Sequence, residues 1–520
     1  MTLEMHPQRW GDPAEAAPLP ETTRGLADAF LGGTHDTPAV ESVQLPAPAL
    51  SPELLDSLQE VLGADAVLTD DESRRLRTRG KSTPDLLRAR SGDLADAPDV
   101  VVRPSSHEDV AAILAWAVEH HVAVVPFGGG TSVTGGLAAR REGYAGLVSL
   151  DLLRMDGLLS VDPVSMTATL QPGLRGPAAE ELLAEQGLVL GHFPQSFEFA
   201  SIGGFAATRS SGQSSAGFGR FDEMVVGLRV ATPAGDLRLG SSPANAAGPD
   251  LREVVLGSEG TLGVITEVTV RVRRRLDEPA YEAWSWESFA AGADAMRHLV
   301  QNDLRPSVLR LSDELETMVN LAGQTDVGGE GAGGCLMIVG YESEGSLRRR
   351  EVITEALTSL GGSPLGEERG SAWAAGRFHA PYLRDSFLDA GILVETLETA
   401  TFWSNRERLY ADVKSALEDK LPGALVLCHI SHVYETGCSL YFTVASPSVD
   451  QPLERWLEAK AAASDAMIEA GATITHHHAV GTDHKPWLAR EIGPVGVAML
   501  RGLKTAVDPT GVLNPGVLIP

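Results

Sequence analysis

The sequence predicts an α+β protein of more than one domain, and three observations carry that expectation. Short β-branched runs first alternate with an amphipathic helix, in the order "DVVVRP", "SSHEDVAAILAWAVEHH", "VAVVPF". Strand-type runs then accumulate as far as "GVITEVTVRVRR". Past Arg275 the texture changes again, and the strand-type segments "AYEAWSW", "CLMIVGYES", "ALVLCHISHVY" and "CSLYFTVA" alternate with helical "FAAGADAMRHLVQ" and "RRREVITEALTSLG". A chain of 520 residues exceeds one ordinary core. The boundaries that follow are an N-terminal extension over 1–50, a first domain over 51–275, a cap domain over 276–455 that carries an antiparallel sheet, and a C-terminal segment over 456–520 that packs back on the first domain.

In chain order, residues 1–50 are rich in Pro, Ala and acidic residues, and composition alone makes them a mobile tail. In "SPELLDSLQEVLG", Ser51 has the place of an N-cap, and Leu54, Leu55, Leu58 and Leu62 mark one helical face. Val110, Ile113, Leu114, Ala117 and Val118 recur at helical spacing. "VAVVPF", "GLVSLDL" and "MTATLQPG" read as strands. "DVGGEGAGG", Asp326 to Gly334, reads as a flexible surface loop. "LAREIGPVGVAMLRGLKTAVDPTGVLNPG" reads as a helix closed by Asp508 and Pro509.

With 43% hydrophobic and 22% charged residues, the composition is that of a soluble globular enzyme. The 70 acidic against 42 basic residues leave a net charge of −28, which repels phosphate backbones and makes nucleic acid an unsuitable partner. An anionic substrate therefore needs a local arginine cluster. Cys335, Cys428 and Cys438 form neither a disulfide framework nor a CxxC motif. The first residues lack a signal-type apolar stretch, no run reaches the ~18 apolar residues of a membrane span, and "VLIP" is no peroxisomal tripeptide. A cytoplasmic protein is expected.

Three glycine-rich stretches carry chemistry. In "PFGGGTSVTGG", Pro126, Gly128, Gly129, Gly130, Thr131, Ser132, Gly135 and Gly136 follow a strand. Without Cβ atoms the backbone can aim several N–H groups at an anion, and the hydroxyls add donors. The motif is neither a Walker A loop nor a GxGxxG opening a long helix, and by itself it reads equally well as a plain turn. The second stretch, His192 to Val230, is long, non-periodic and dense in Gly, Ser and Thr; its candidate contacts are Pro194, Ser196, Ser201, Gly203, Gly204, Thr208, Ser211 and Gly212. In the third, "LGSEGTLGVITEVTV", they are Glu259, Gly260, Gly263, Val264 and Ile265. Three separated loops of small polar residues point to a long ligand with a central pyrophosphate, a dinucleotide.

"GATITHHHAVGTDHKPW" adds three adjacent histidines. If that stretch is extended, His476 and His478 share one face and His477 points the other way. Metal ligation with a carboxylate, acid/base work and solvated loop histidines all stay open at this level.

"VVRPSSHEDV", "VVPFGGGTSVTGGL", "FASIGGFAATRSSG" and "GSEGTLGVITEVTVRV", with the closing "DPTGVLNPGVL", are together similar to the vanillyl-alcohol-oxidase type of flavoproteins. The resemblance implies a two-subdomain PCMH-type FAD-binding domain plus the α+β cap. It also implies FAD held non-covalently, because "PFGGGTSVTGGL" offers no histidine or cysteine for attachment and His192 is merely close to the second loop. Two branches compete. D-2-hydroxy-acid dehydrogenases place an "EHGIG"-like segment where this chain has "HHHAVG". The alkyldihydroxyacetonephosphate synthase branch carries three histidines there. It is also resembled by "RWGDP", "RGKSTPDLLRARSG", "LRLSDELET", "APYLRDSFLDAGILVETLETATFW" and "HHHAVGTDHKPWL".

That second resemblance makes the N-terminus an ordered extension. It implies Arg384 near a substrate phosphate, Arg310 as a second functional arginine, Tyr441 as the active-site tyrosine, His476 to His478 as acid/base groups, and no metal. An ion pair of Arg384 with Asp385 is the plain alternative. The implied reaction exchanges the acyl chain of acyl-dihydroxyacetone phosphate for a long-chain alcohol, in ether-lipid synthesis and without net redox. Oxidation of a D-2-hydroxy acid is the alternative. Homodimerisation is the family's habit, and peripheral membrane contact stays open. The chain departs from the synthase pattern at Phe193 and Gln195, where acidic residues are usual, and in its short glycine-rich cap segment.

Overall fold

The structure, a computed structural model, describes residues 3–41, 43–322, 334–447 and 450–520. Most of the expected Asp326–Gly334 loop lies outside the described residues. Three principal sheets organise the rest, and an α+β fold with a two-part first half is borne out.

The first sheet orders its strands Val67–Leu68, Val100–Val102, Leu147–Asp151, Ala123–Phe127, with the last three parallel. Its strands are nearly continuous apolar runs because both faces are covered. The His107–His120 helix lays Val110, Ile113, Leu114 and Ala117 on one face, each at most 1% exposed. Val110, Ile113 and Leu114 each contribute roughly 1.5–3 kcal/mol of burial. Ser106 and Asp109 form a reciprocal cap at that helix's start, and His121 ends it in the left-handed region. Ser51 caps Pro52–Leu62 and Leu58 is fully buried beneath it.

The second sheet is antiparallel, in the order Leu158–Asp162, Thr167–Leu170, Val264–Arg271, Val225–Thr232, Gly235–Leu239. The third has seven antiparallel strands, Ser363–Gly366, Ala280–Trp286, Cys335–Tyr341, Val308–Ser312, Leu425–Ile430, Gly437–Ser446 and Leu393–Phe402, with helices such as Phe289–Gln301 packed on it.

Several local expectations change. The His192–Val230 stretch is not one loop; it contains the helices Ile202–Thr208, Ser215–Phe218 and Phe221–Met224, too short to leave a periodic apolar signal. The last long helix, Lys485–Val507, is two helices meeting at a kink, because Gly493 takes a positive φ and Pro494 cannot donate.

The N-terminus is ordered, not a tail. Met5 and Trp10 are buried against Phe199, Trp10 N–H donates to Asp385, and Glu4 pairs with Arg77 at 2.7 Å. These contacts lie far off in sequence, so composition cannot register them. At the other end, Leu513 bridges Val124, and Val512 and Leu513 join the first sheet's core. Among the described residues no helix is long and apolar enough to cross a membrane.

Candidate active site

The first glycine loop leaves the Ala123–Phe127 strand and runs against the second segment. A Cβ on Gly129 would fall on the carbonyl of Phe199, and one on Gly128 would strike the Ser201 hydroxyl, so only glycine allows this approach. Among the described residues no acceptor takes the N–H groups of Gly129, Gly130, Thr131 or Ser132, which leaves a run of donors for an anion. Ser132 Oγ accepts from Gly136 N at 3.0 Å, and Gly135 abuts Thr482.

In the second segment the carbonyls of Pro194 and Ser196 accept from Phe197 and Phe199, turning the chain. Ser201 caps the helix that holds Gly203, Gly204 and Thr208, and Gly212 packs on the backbone of Phe193. In the third, Gly260 packs on Pro126 and Gly263 on Val230. Val264 and Ile265 send their side chains into apolar clusters, so those side chains belong to the core and not to a ligand surface.

FAD fits this cradle. Besides the free N–H groups, Gln213 Oε1, Ser258 Oγ and Asn514 Oδ1 are buried with no protein partner, one on each of the second and third stretches and one on the C-terminal turn. Buried polar atoms are ordinarily satisfied, and a ligand rich in phosphate, hydroxyl and amide groups answers such a set. Glu259 closes the cradle. Its carboxylate accepts from Val480 N and Gly481 N at 3.0 Å, and burial pushes its carboxyl up to about 7. A carboxyl raised this far carries less negative charge at neutral pH than an ordinary glutamate, which suits a place beside a pyrophosphate in this acidic chain. His192 is fully buried, its Nε2 3.0 Å from Ser210 Oγ and its ring against Phe205 and Phe221.

Glu259 also links the cradle to the histidines. Their segment is bent, not extended, and the reason is Glu398. This carboxylate, 2% exposed, accepts from the N–H groups of His476 at 2.7 Å, His477 at 3.2 Å and His478 at 3.0 Å, and from the Thr475 hydroxyl at 2.5 Å. Curling around one acceptor brings all three rings together, with centroids 5.2 and 4.7 Å apart for successive pairs. The alternating arrangement expected from an extended segment is therefore wrong. Burial pushes the Glu398 carboxyl up, but His477 beside it holds it well below the usual range, so it is ionised.

Nδ1 of His476 lies 3.0 Å from Nδ1 of His477, so one proton is shared between them. His476 Nε2 lies 2.5 Å from the Tyr434 hydroxyl. Burial pushes His476 well below its ordinary value and His478 down to about 3, leaving both neutral.

Tyr441 pairs with Glu398 across neighbouring strands. Its ring lies over His477 at 6.1 Å and meets His478 edge-on at 5.5 Å, and burial pushes its hydroxyl up to about 12. On its other side it stacks on His429 at 4.7 Å. Arg310 bonds His429 at 3.1 Å and Glu316 at 2.6 Å, so it reaches Tyr441 through His429. His432 carries the contact to the second segment: its Nδ1 is 3.0 Å from Ser211 Oγ and 2.7 Å from Ser215 Oγ.

Arg384 stands apart. It pairs with Asp385 at 2.9 Å and donates to the Lys81 carbonyl at 2.7 Å, which is the plain ion pair the sequence allowed. It helps hold down the Glu395 carboxyl, and Glu395 in turn helps push the Tyr441 hydroxyl up.

The nitrogens close enough to share an ion, within 4.8 Å, belong to His432, His476 and His477 and not to the His476–His478 pair. Each of these rings already has a polar neighbour, in Ser211 and Ser215, in Tyr434 and in Glu398, an arrangement suited to holding and moving protons. Glu398, His429, His432 and Tyr434 went unnoticed in the sequence. The available signal was acidic residues at buried positions of "LVETLETATF" and paired histidines in "HISH".

Residues 98–240 match the family described as FAD binding domain, and 277–518 match FAD linked oxidases, C-terminal domain. FAD is the cofactor. Alkyldihydroxyacetonephosphate synthase of Dictyostelium discoideum is 33% identical over 93% of this chain and 84% of its own length. The protein of the same name from Trypanosoma brucei brucei is 32% identical over 92% and 82%. A solved structure of alkyldihydroxyacetonephosphate synthase superposes with a TM-score of 0.84 at 30% identity, covering 98% of each chain. With that identity spread over nearly the whole length of both partners, the chain belongs to the alkyldihydroxyacetonephosphate synthase family.

Proposed function

We propose that this enzyme exchanges the acyl chain of acyl-dihydroxyacetone phosphate for a long-chain alcohol, with FAD held non-covalently. The observation that carries the reading is the convergence of His476, His477 and His478 on ionised Glu398, facing Tyr441 and joined through Glu259 to the flavin cradle. The synthase name of the relatives supports the same substrate class.

FAD, when bound, supplies the electron-rich ring that allows ester-for-ether exchange without net redox. Arg384 holds the phosphate, whose paired oxygens suit a guanidinium fork now turned to Asp385. His477, beside Glu398 at 3.4 Å, takes the proton from carbon next to the ketone, because an imidazole can both accept and return it near neutral pH. The bond from that carbon to the ester oxygen breaks and the fatty acid leaves. The alcohol oxygen then bonds to the same carbon and the stored proton is returned. Tyr441 keeps its proton at neutral pH, donates it to the departing oxygen so that the fatty acid leaves as the free acid, and recovers it from the hydroxyl of the entering alcohol. A cytoplasmic location, contact with a membrane surface, homodimerisation and division into domains near residues 275 and 455 go with this reading.

The test is anaerobic incubation of the yellow protein with acyl-dihydroxyacetone phosphate and a labelled long-chain alcohol, without electron acceptor. Labelled ether is expected. No ether, with lasting flavin bleaching on adding a D-2-hydroxy acid, would overturn the reading.

A further inference from the structure

His432 follows the Leu425–Ile430 strand and is 4% exposed. It is the cap residue that the proton exchange above does not use, yet it touches both sides of the site. Its Nδ1 faces two hydroxyls of the second glycine-rich segment, Ser211 and Ser215. Its ring stacks on His476 at 4.9 Å and 22° and meets His477 edge-on at 4.9 Å. Burial, first of all, holds it well below its ordinary value and keeps it neutral. Whichever ring nitrogen carries the proton, Nδ1 makes its hydrogen bonds to these two hydroxyls. The orientation of His432 is thereby fixed from the cofactor side. The proton shared by His476 and His477 lies between two Nδ1 atoms 3.0 Å apart, of which that of His477 is also 3.4 Å from Glu398, so its place depends on how the two rings are held.

We infer that His432 is a positioning residue: it locks the His476–His477 pair to Ser211 and Ser215, so that the pair takes its working orientation only when the cofactor-binding segment is in place. The inference rests on the acid/base reading of the cluster. A residue serving only as a strut between segment and cap would be replaceable by any ring of similar shape.

The experiment compares His432→Phe, which keeps a ring but loses Nδ1, with His432→Asn, whose amide oxygen restores an acceptor, and with Ser215→Ala. FAD content, KM, kcat against pH, and exchange of the substrate's α-hydrogen with D2O are measured on each FAD-loaded enzyme. For His432→Phe we expect FAD and KM to be retained and kcat and α-hydrogen exchange to fall together by about 10- to 100-fold, with a shifted pH–rate limb. His432→Asn is expected to recover part of the loss, and Ser215→Ala to show a smaller loss in the same direction. Wild-type kcat and pH profile in His432→Phe overturn the inference. So does equal loss in His432→Phe and His432→Asn accompanied by loss of FAD, which would make His432 a requirement for folding of the cofactor segment and not for orienting the histidine pair. Ether formation by the wild type with neither α-hydrogen exchange nor a kinetic isotope effect on α-deuterated substrate overturns the acid/base reading itself, a result visible before any variant is made.

Discussion

Replacing Glu398 by alanine tests the centre of the site. The change removes the acceptor of three backbone N–H groups, those of His476, His477 and His478, and of the Thr475 hydroxyl. A buried donor left unsatisfied costs about 1–3 kcal/mol. Water entering the vacated space keeps the total nearer the low end of the sum, about 3–5 kcal/mol, the range found on breaking buried charged networks. Set against the bent conformation of residues 475–478, this releases the segment toward an extended form in which the rings no longer cluster. If the bent form is the working one, a penalty near 4 kcal/mol lowers kcat by about a thousandfold. Glu398→Gln keeps one acceptor oxygen and should fall between. The assays are ether formation at saturating substrate and hydrogen exchange at the amides of 476–478. Alanine enzyme within threefold of wild type, with those amides still protected, would refute the argument.

Acid should destabilise the site in a defined window. His478 and His192, at about 3, and His484, at about 4, are held below their ordinary 6.5 chiefly by burial. A lowered value means their contribution is complete above about pH 6.5 and is lost as pH falls, at about 1.4 kcal/mol per unit for each group. The depressed Glu398 carboxyl acts in the same direction below its ordinary 4.5. The urea midpoint should therefore drop steeply between pH 6.5 and 4, and a flat profile there would contradict the buried-neutral assignment. Gly129→Ala should yield colourless protein, because its Cβ meets a backbone carbonyl that cannot turn away. Gly25→Ala, on an open helix position, should keep full flavin absorbance and gain about 0.5–1 kcal/mol.

Much of the fold was legible because local pattern and burial agree. "AYEAWSW" forms a strand from Ala280 to Trp286, and "FAAGADAMRHLVQ" a helix from Phe289 to Gln301, at the expected bounds. The cofactor loops were legible because glycine at a close approach has few substitutes. The histidine triplet was legible as a cluster but not in shape, since its bend is imposed by a carboxylate on a strand far off in sequence. Arg310 and Arg384 illustrate the same limit. Residue type suggested anion binding, while their partners Glu316, His429 and Asp385 follow from tertiary packing that no local pattern encodes.

The return of the C-terminal segment bears on biosynthesis. Leu513 bridges Val124, and Asn514 donates its amide to the carbonyls of Gly136 and Glu259, so residues that follow the whole cap in sequence pack beneath the flavin loops. During translation, N-terminal domains generally fold first. Here the first sheet would emerge from the ribosome with the groove beside Val124 open, and would wait while the whole cap is made. In that interval the exposed apolar groove is a natural client surface for chaperones.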